Sequence, residues 1–264
     1  MPKLESQPFE SKLDRSNEQF QKNKSSMLSM LEEIDVLLDE AELGGGEHHK
    51  ERLAKRGKLP VRERVFHFLD PDSPFLEISG LAAFKSDYPV GGGAIAGIGV
   101  SAGIECIIFA NDPTVLAGAM HFYSVKKWMR AMQIARDSRL PFIQFVESAG
   151  GDLRPRSNAV VGGTTHFAES GRQFYEITEL SKLNIPTVTV TFGTATAGGA
   201  YQPGMSDYNI FVKDQADVAL AGPPLVQMAT GEISSREDIG GAKMHAEKSG
   251  LAEYLAEDLS LIHI

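Results

Sequence analysis

Two short apolar runs, each leading directly into a glycine-rich loop, restrict the folds open to this chain more than any other feature. Residues 141–146 read Pro-Phe-Ile-Gln-Phe-Val and lead into Glu-Ser-Ala-Gly-Gly. Residues 186–192 read Pro-Thr-Val-Thr-Val-Thr-Phe and lead into Gly-Thr-Ala-Thr-Ala-Gly-Gly-Ala. Such runs are typical of strands buried on both faces. A glycine-rich loop that starts a helix exposes N–H groups at the positive end of the helix dipole, so each loop is a candidate anion site.

The rest of the pattern predicts an α/β domain with substantial parallel pairing. Apolar residues at helical spacing predict helices over 123–140 and 168–183. A hairpin through 101–103 and a mostly helical tail up to residue 258 are also predicted. Further strands are predicted at 75–79, 94–100, 104–109, 209–212 and 218–220. Strands that alternate with helices favour a parallel sheet covered by helices.

The N-terminal quarter has a different character. Residues 15–43 carry an apolar stripe at helical spacing, and Gly44 to Gly46 end this predicted helix. Residues 48–64 then hold seven Lys or Arg and two Glu, a local charge of +5 in a chain whose formal charge is −9. Such a run is typical either of a phosphate contact or of a solvated helix face with structural ion pairs. The sequence leaves both alternatives open.

Composition excludes several classes of protein. The chain has 264 residues, 42% hydrophobic and 23% charged, which is typical of a globular protein rather than a disordered one. No apolar run approaches the ~20 residues of a bilayer span, and the first residues lack the pattern of a secretory signal, so we expect a cytoplasmic protein without a membrane partner. The single cysteine, Cys106, excludes a disulfide framework, and its apolar strand predicts an inert buried thiol.

Several motifs are absent or misplaced. Residues 91–96 match a dinucleotide-binding glycine pattern, but they open a strand, so we interpret them as a turn. Neither a phosphate-binding P-loop nor a Gly-x-Ser-x-Gly nucleophile motif occurs. The pair His48 and His49 lacks the spacing of metal ligands. We expect no bound metal and no nucleic-acid partner.

Taken together and in this order, the two loops resemble those of the crotonase superfamily, whose members stabilise an acyl-CoA thioester enolate with one backbone N–H from each loop. Over nearly the whole chain, the sequence is more similar to carboxyltransferase (beta) subunits of biotin-dependent acyl-CoA carboxylases. These are the propionyl-, methylcrotonyl- and geranyl-CoA carboxylases. The matching segments are 49–64, 69–78, 196–207, 231–245 and 249–250.

The resemblance implies a crotonase-like (ClpP/crotonase) α/β domain of repeated strand–strand–helix (ββα) units, preceded by an N-terminal helical arm. We expect the arm and basic segment at 1–64, the carboxyltransferase domain at 65–258, and an unrelated tail at 259–264. Family subunits continue with a second half of the same fold, which supplies the biotin site and pairs with a partner's first half. The chain is therefore expected to be the acyl-CoA-binding half, inactive alone.

The resemblance also assigns residues. The thioester oxyanion site falls on the backbone N–H groups of Gly198 and Gly199, with Ala149 and Gly150 on the opposite wall. Residues expected to contact the substrate are Ser148, Gly151, Ala197, Ala200, Tyr201 and Gln202. Residues expected to contact CoA phosphates are Lys55, Arg56, Lys58 and Arg62. Glu147 departs from the family, which usually has Asp there, so acyl specificity cannot be transferred.

The implied reaction transfers CO2 from carboxybiotin, held on a partner carrier, to an acyl-CoA. A hydratase would need two carboxylates beside the enolate, but Tyr201 and the acid-free segment 222–227 occupy their places. The expected partners are the acyl-CoA, a biotin carboxylase or biotin carrier subunit, and further copies of this chain through the carboxyltransferase halves. Two alternatives stay open: the carboxyltransferase part of a biotin-dependent decarboxylase, and a non-catalytic acyl-CoA-binding or assembly module.

Overall fold

A computed structural model describes residues 11–154 and 167–258, and these ranges form an eight-stranded sheet with helices on both faces. The strands are β1 Leu76–Glu77, β2 Ala94–Ser101, β3 Ile104–Asn111, β4 Phe142–Ser148, β5 Thr187–Thr196, β6 Tyr208–Val212, β7 Asp217–Ala219 and β8 Tyr254–Ala256. Their order is β1-β2-β3-β4-β5-β6-β8, and β7 pairs with the end of β5. The predicted tail at 259–264 lies outside the described residues.

The sheet is antiparallel at one edge and parallel elsewhere. β1, β2 and β3 pair antiparallel, and the predicted hairpin is confirmed. Ala102 and Gly103 both have positive φ, 51° and 74°, the conformation that a tight two-residue hairpin requires. From β3 through β4, β5 and β6 to β8 the pairing is parallel, as the buried runs predict. Helices connect β3 to β4 and β4 to β5, because parallel neighbours need a crossover.

The predicted helices are present with small shifts at their ends. The helices are α1 Glu18–Leu43, α2 Glu47–Ala54, α3 Val61–Phe68, α4 Phe122–Ser138, α5 Phe167–Lys182, α6 Tyr201–Gly204, α7 Pro223–Thr230, α8 Arg236–Gly240 and α9 Ala242–Met244. His121 caps α4 by accepting a hydrogen bond from the Tyr123 N–H. Two short 3₁₀ turns, Leu116–Gly118 and Ala197–Ala200, follow the central strands.

Side chains alternate between two cores along the central strands. On β3, Ile108 joins the core beneath α3, whereas Phe109 joins the core beneath α4 and α5. This alternation follows from the two-residue period of a strand. Trp128 of α4 is the largest fully buried side chain and stacks on Phe109 with ring centroids 5.9 Å apart. The central strands are thus fixed from both faces, so the loops at their ends start from rigid positions.

The N-terminal helices differ in how they contact the sheet. α1 ends at Gly44, which has φ of 58° as predicted for a helix stop, and no residue of α1 is buried. Its apolar stripe is exposed, with Met27, Leu31 and Ile34 each at least 40% accessible. In contrast, α3 buries Val61 in the same core cluster as β3 to β5. The segment predicted as one arm, residues 1–64, therefore contains both a peripheral helix and part of the core.

The tail is less helical than expected. Residues 223–249 are largely helical, but Tyr254–Ala256 form β8, which pairs with β6. The run is three residues long and has no alternating pattern that would indicate a strand. It becomes a strand because the open edge of β6 supplies the hydrogen-bonding partners.

The turn predicted at the start of residues 91–96 is confirmed. Gly91, Gly92 and Gly93 all have positive φ, and β2 begins at Ala94.

None of the helices in the described ranges combines the length and the apolar character needed to cross a bilayer.

Candidate active site

The two glycine-rich loops meet at the carboxyl ends of the central strands β4 and β5. β4 and β5 are parallel neighbours, so their carboxyl ends lie side by side. A methyl group at Gly199 would lie 3.1 Å from the side chain of Ser148, and one at Gly150 would lie 2.8 Å from the carbonyl oxygen of Thr196. Gly150 also has φ of 92°, which favours glycine. Glycine on each loop therefore permits the close approach of the other loop.

A third loop, which the sequence analysis missed, completes the wall. Leu116, Ala117 and Gly118 all have positive φ, and a side chain at Gly118 would overlap the carbonyl group of Glu147. The Ala117 carbonyl accepts the N–H of Ala149 at 3.1 Å. Such backbone strain persists only where the surrounding structure enforces it. The only sequence signal for this loop is the glycine that ends it.

Hydrogen bonds decide which N–H groups of the first loop are available. The N–H of Ala149 donates to Ala117, and that of Gly150 donates to Ser148 Oγ at 3.2 Å. The N–H of Asp152 donates to the Met120 carbonyl at 2.8 Å. The N–H of exposed Gly151 has no hydrogen-bond partner within residues 11–154 and 167–258. The N–H groups of Ala149 and Gly150 are therefore used in hydrogen bonds that hold the loop. Among the described residues, the N–H of Gly151 has no such partner.

The second loop presents its backbone differently. Residues Ala197–Ala200 form a 3₁₀ turn that runs into α6, so the predicted change from strand to loop to helix is confirmed here. The first N–H groups of a helix have no intrahelical partner, and Gly198 is the second residue of this turn. No atom of the described residues lies within 4 Å of a methyl group placed at Gly198, whereas Gly199 is buried against Ser148. Gly198 therefore faces open space and Gly199 serves the packing of the two loops.

The remaining predicted contacts flank this loop. Ala197 is exposed, Ala200 is buried, and Tyr201 is 43% exposed with its ring 4.7 Å from that of Phe174. Gln202 is fully buried, and within the described ranges neither atom of its side-chain amide has a hydrogen-bond partner. Buried amides normally have hydrogen-bond partners. The Gln202 amide next to this loop can therefore still donate and accept hydrogen bonds.

The four predicted phosphate contacts separate into two pairs. Lys58 Nζ lies 2.6 Å from Glu147 Oε1, and Arg62 Nη1 lies 2.7 Å from Glu77 Oε2. Of the two alternatives that the sequence left open for the basic segment, structural ion pairs are the one found at Lys58 and Arg62. Lys55 and Arg56 are exposed. They lie two or three residues before Lys58, which contacts Glu147 of β4 and Phe192 of β5.

Two titratable groups near these elements have shifted pKa values. Hydrogen bonds from Arg154 lower the pKa of Asp152 to about 2, and the Tyr88 hydroxyl, 3.3 Å away, acts in the same direction. Burial raises the pKa of the Cys106 thiol to about 11, and Cys106 is buried in its strand as predicted. No group of three His, Cys, Asp or Glu that could hold a metal occurs in the part of the chain that the structure describes.

Comparison with known proteins places this geometry in a family. Residues 52–260 match the family described as "Carboxyl transferase domain". The probable biotin-dependent acyl-coenzyme A carboxylase beta2 subunit of Mycobacterium tuberculosis is 46% identical over 250 residues, which cover 95% of this chain and 46% of that protein. The chain spans about half the length of the curated relatives it matches.

Solved structures of carboxylase and transcarboxylase subunits have the same fold as this chain. The crystal structure of the P. aeruginosa geranyl-CoA carboxylase beta subunit matches with a TM-score of 0.83 and 40% identity, covering 96% of this chain and 46% of that one. The transcarboxylase 12S hexamer with methylmalonyl-coenzyme A bound matches with a TM-score of 0.79 and 25% identity, covering 90% and 46%. The family match and these structures show that the chain belongs to the carboxyl transferase domain family and has its crotonase-like α/β fold.

Proposed function

We propose that this chain is the acyl-CoA-binding half of a carboxyltransferase that transfers CO2 from carboxybiotin to the α-carbon or vinylogous γ-carbon of an acyl-CoA. The observation that carries the proposal is the pair of loops in contact at the ends of β4 and β5. Gly151 has an N–H without a partner among the described residues, and Gly198 lies in the first turn after β5, where N–H groups lack an intrahelical partner. The 12S relative, whose structure contains methylmalonyl-coenzyme A, supports an acyl-CoA as substrate.

The chain's own contribution is electrostatic. When the α-proton leaves an acyl-CoA, the electron pair of the C–H bond forms a C=C bond and the π pair of the thioester C=O moves onto the oxygen, which becomes an enolate oxyanion. Donors fixed by the surrounding backbone stabilise that charge without having to reorganise. Removal of one such donor costs about 3 kcal/mol of barrier in other enzymes. In this proposal Gly151 and Gly198 supply the donors, and the hydrogen bonds of Ala149 and Gly150 fix the first loop.

In this proposal, the biotin is attached to a partner protein. A methyl group placed at Gly198 meets no atom of the described residues within 4 Å, and we assign the donors of the two loops to the thioester. Carboxybiotin supplies the CO2 and, on decarboxylation, the base for the α-proton. We place its binding site on the second half of the family's subunits, and we expect a carrier subunit and further copies of this chain as partners; the hexameric 12S relative supports assembly into oligomers. A cytoplasmic location stays a prediction.

Titration calorimetry with an acyl-CoA and with free CoA tests the proposal. We expect Gly198→Pro, which removes the N–H, to bind the thioester about tenfold more weakly, with binding of free CoA unchanged. Gly198→Ala is the matched control because it keeps the N–H and its methyl group meets no atom within 4 Å. Absence of acyl-CoA binding by the wild-type chain, or equal weakening in both variants, would contradict the proposal.

The same titration examines the phosphate contact. Charge reversal of Lys55 and Arg56 to Glu should weaken CoA binding, and the loss should shrink at high salt because both side chains are exposed. Lys182→Glu on α5 is a control of the same chemistry at another exposed position. Unchanged affinity after the double reversal would leave these residues as part of a solvated helix face.

A further inference from the structure

Strand β5 is irregular just before it reaches the candidate active site. Val146 of β4 pairs with Thr191 of β5, and Ser148 pairs with Ala195. Two steps along β4 therefore correspond to four steps along β5, so β5 contains two extra residues in this interval. A bulge of this kind bends the strand and redirects whatever follows it. Here it is followed by the loop that carries Gly198.

Lys58 provides a hydrogen bond to the bulge. Its Nζ donates to the Phe192 carbonyl at 2.8 Å and to Glu147 Oε1 at 2.6 Å. The Lys58 and Glu147 side chains are only 12% and 11% exposed. Phe192 lies in the interval where the ladder to β4 is interrupted, so its carbonyl takes a side-chain donor in place of a strand partner. One ammonium group thus contacts both strands that end in the active-site loops.

The surroundings show that the bulge and the ion pair form one unit. Arg64 Nη1 lies 2.8 Å from the second carboxylate oxygen of Glu147, and its guanidinium lies 4.9 Å from the centre of the Phe192 ring. A methyl group at Gly193 would lie 2.6 Å from both the Glu147 carboxylate and Lys58 Nζ. The ion pair therefore occupies the space that a side chain at residue 193 would need.

We propose that Lys58, acting with Glu147, is a positioning residue that holds the β5 bulge and thereby sets the distance between the Gly151 and Gly198 N–H groups. The inference rests on the proposed function for its catalytic meaning, but its structural content is independent of that function. Without Lys58 the Phe192 carbonyl loses its donor and Glu147 keeps a single cationic partner, Arg64. Both changes loosen the segment between the bulge and Gly198.

Amide hydrogen exchange followed by mass spectrometry tests the structural claim. In Lys58→Met we expect peptides covering 192–199 and 148–151 to exchange at least tenfold faster, the change expected from loss of a charge-assisted hydrogen bond to a buried group. Lys55→Met, at an exposed position on the same segment, should leave these peptides unchanged. Exchange in Lys58→Met equal to that of the wild type would overturn the inference.

Infrared spectroscopy of a bound acyl-CoA with a ¹³C-labelled thioester carbonyl tests the functional claim. Lys58→Met should lose at least half of the carbonyl shift seen in the wild type while free CoA binds equally well, and Lys58→Arg should restore part of it. A full shift in Lys58→Met would overturn the positioning role. If the wild type bound no acyl-CoA, the proposed function would fail, and the exchange experiment would still decide whether Lys58 holds the bulge.

The double variant Lys58→Met, Glu147→Gln keeps the test decisive if Lys58→Met does not fold. It removes both charges of the Lys58–Glu147 pair, and the amide oxygen that replaces the Glu147 carboxylate can still accept a hydrogen bond from the buried Arg64. The same peptides should exchange faster in the double variant, because the Phe192 carbonyl still lacks its donor. Wild-type exchange in this variant would overturn the inference.

Discussion

At the scale of single residues, neighbouring glycines in one motif have different tasks. Gly199 is buried against Ser148 and makes room for the first loop, whereas Gly198 faces open space. Gly150 has a positive φ and touches the second loop, and the N–H of Gly151 has no hydrogen-bond partner among the described residues. The sequence marks all four as glycine and cannot distinguish sterics from chemistry. The distinction depends on which atoms of another loop lie next to each Cα.

Alanine substitutions should separate these tasks in a stability measurement. We expect Gly199→Ala to lower the free energy of unfolding by about 1–3 kcal/mol, because its methyl group would lie 3.1 Å from buried Ser148. Gly198→Ala should change it by less than about 1 kcal/mol. Urea unfolding followed by circular dichroism measures both values. Similar losses in the two variants would mean that the loops do not approach each other as closely as the structure has them.

At the scale of elements, α4 carries a buried charge that fixes the turn before β2. Lys127 Nζ donates to the Ala94 carbonyl at 2.7 Å and to the Gly91 carbonyl at 3.3 Å. Burial lowers the pKa of Lys127 to about 8, and Glu77, 3.8 Å away, only partly opposes the shift. The sequence predicts the helix and the turn, but the lysine appears there as one of several basic residues on a helix.

This buried lysine gives the stability a defined dependence on pH. The Cys106 thiol, whose pKa burial raises, acts in the opposite direction above about pH 9, so the effect of Lys127 is read as a difference between variants. Between about pH 8 and 10.5 the unfolded chain holds the Lys127 proton and the folded chain has released it, so the contribution of Lys127 to the free energy of unfolding rises with pH. The rise is about 3 kcal/mol for the shift of the pKa. Lys127→Met should lack it, and Lys126→Met, an exposed neighbour, should retain it. Parallel pH profiles for the wild type and Lys127→Met, from denaturant unfolding, would contradict this account.

At the scale of the whole molecule, the N-terminal helices divide between the periphery and the core. α1 buries none of its residues, while Leu53 and Val61 of α2 and α3 are buried and Lys58 between them contacts both active-site strands. The boundary at residue 64 stays a prediction for the domain organisation. The change from a helix without buried residues to helices that contribute buried residues falls between α1 and α2.

Truncations should reveal this division. Deletion of residues 1–36 should shift the midpoint of thermal unfolding by no more than about 3 °C, because it removes no buried contact of α1. Deletion of residues 1–60 should lower it by more than about 6 °C or prevent folding, since it removes Leu53 and Lys58. Scanning calorimetry measures both midpoints. A large loss in the shorter truncation would show that α1 is part of the folding unit.

The central strands and their helices, the turns at Gly44 and 91–93, the burial of Cys106 and the family of the loops could all be predicted from the amino-acid sequence. These features depend on local periodicity and on short motifs, which a linear chain displays directly. Only the folded chain shows that the Gly151 N–H has no partner among the described residues, that Leu116–Gly118 contacts the first loop, and that Lys58 donates to the Phe192 carbonyl in the β5 bulge. These features depend on contacts between residues as far as 134 positions apart, and no local pattern contains the distance between such residues.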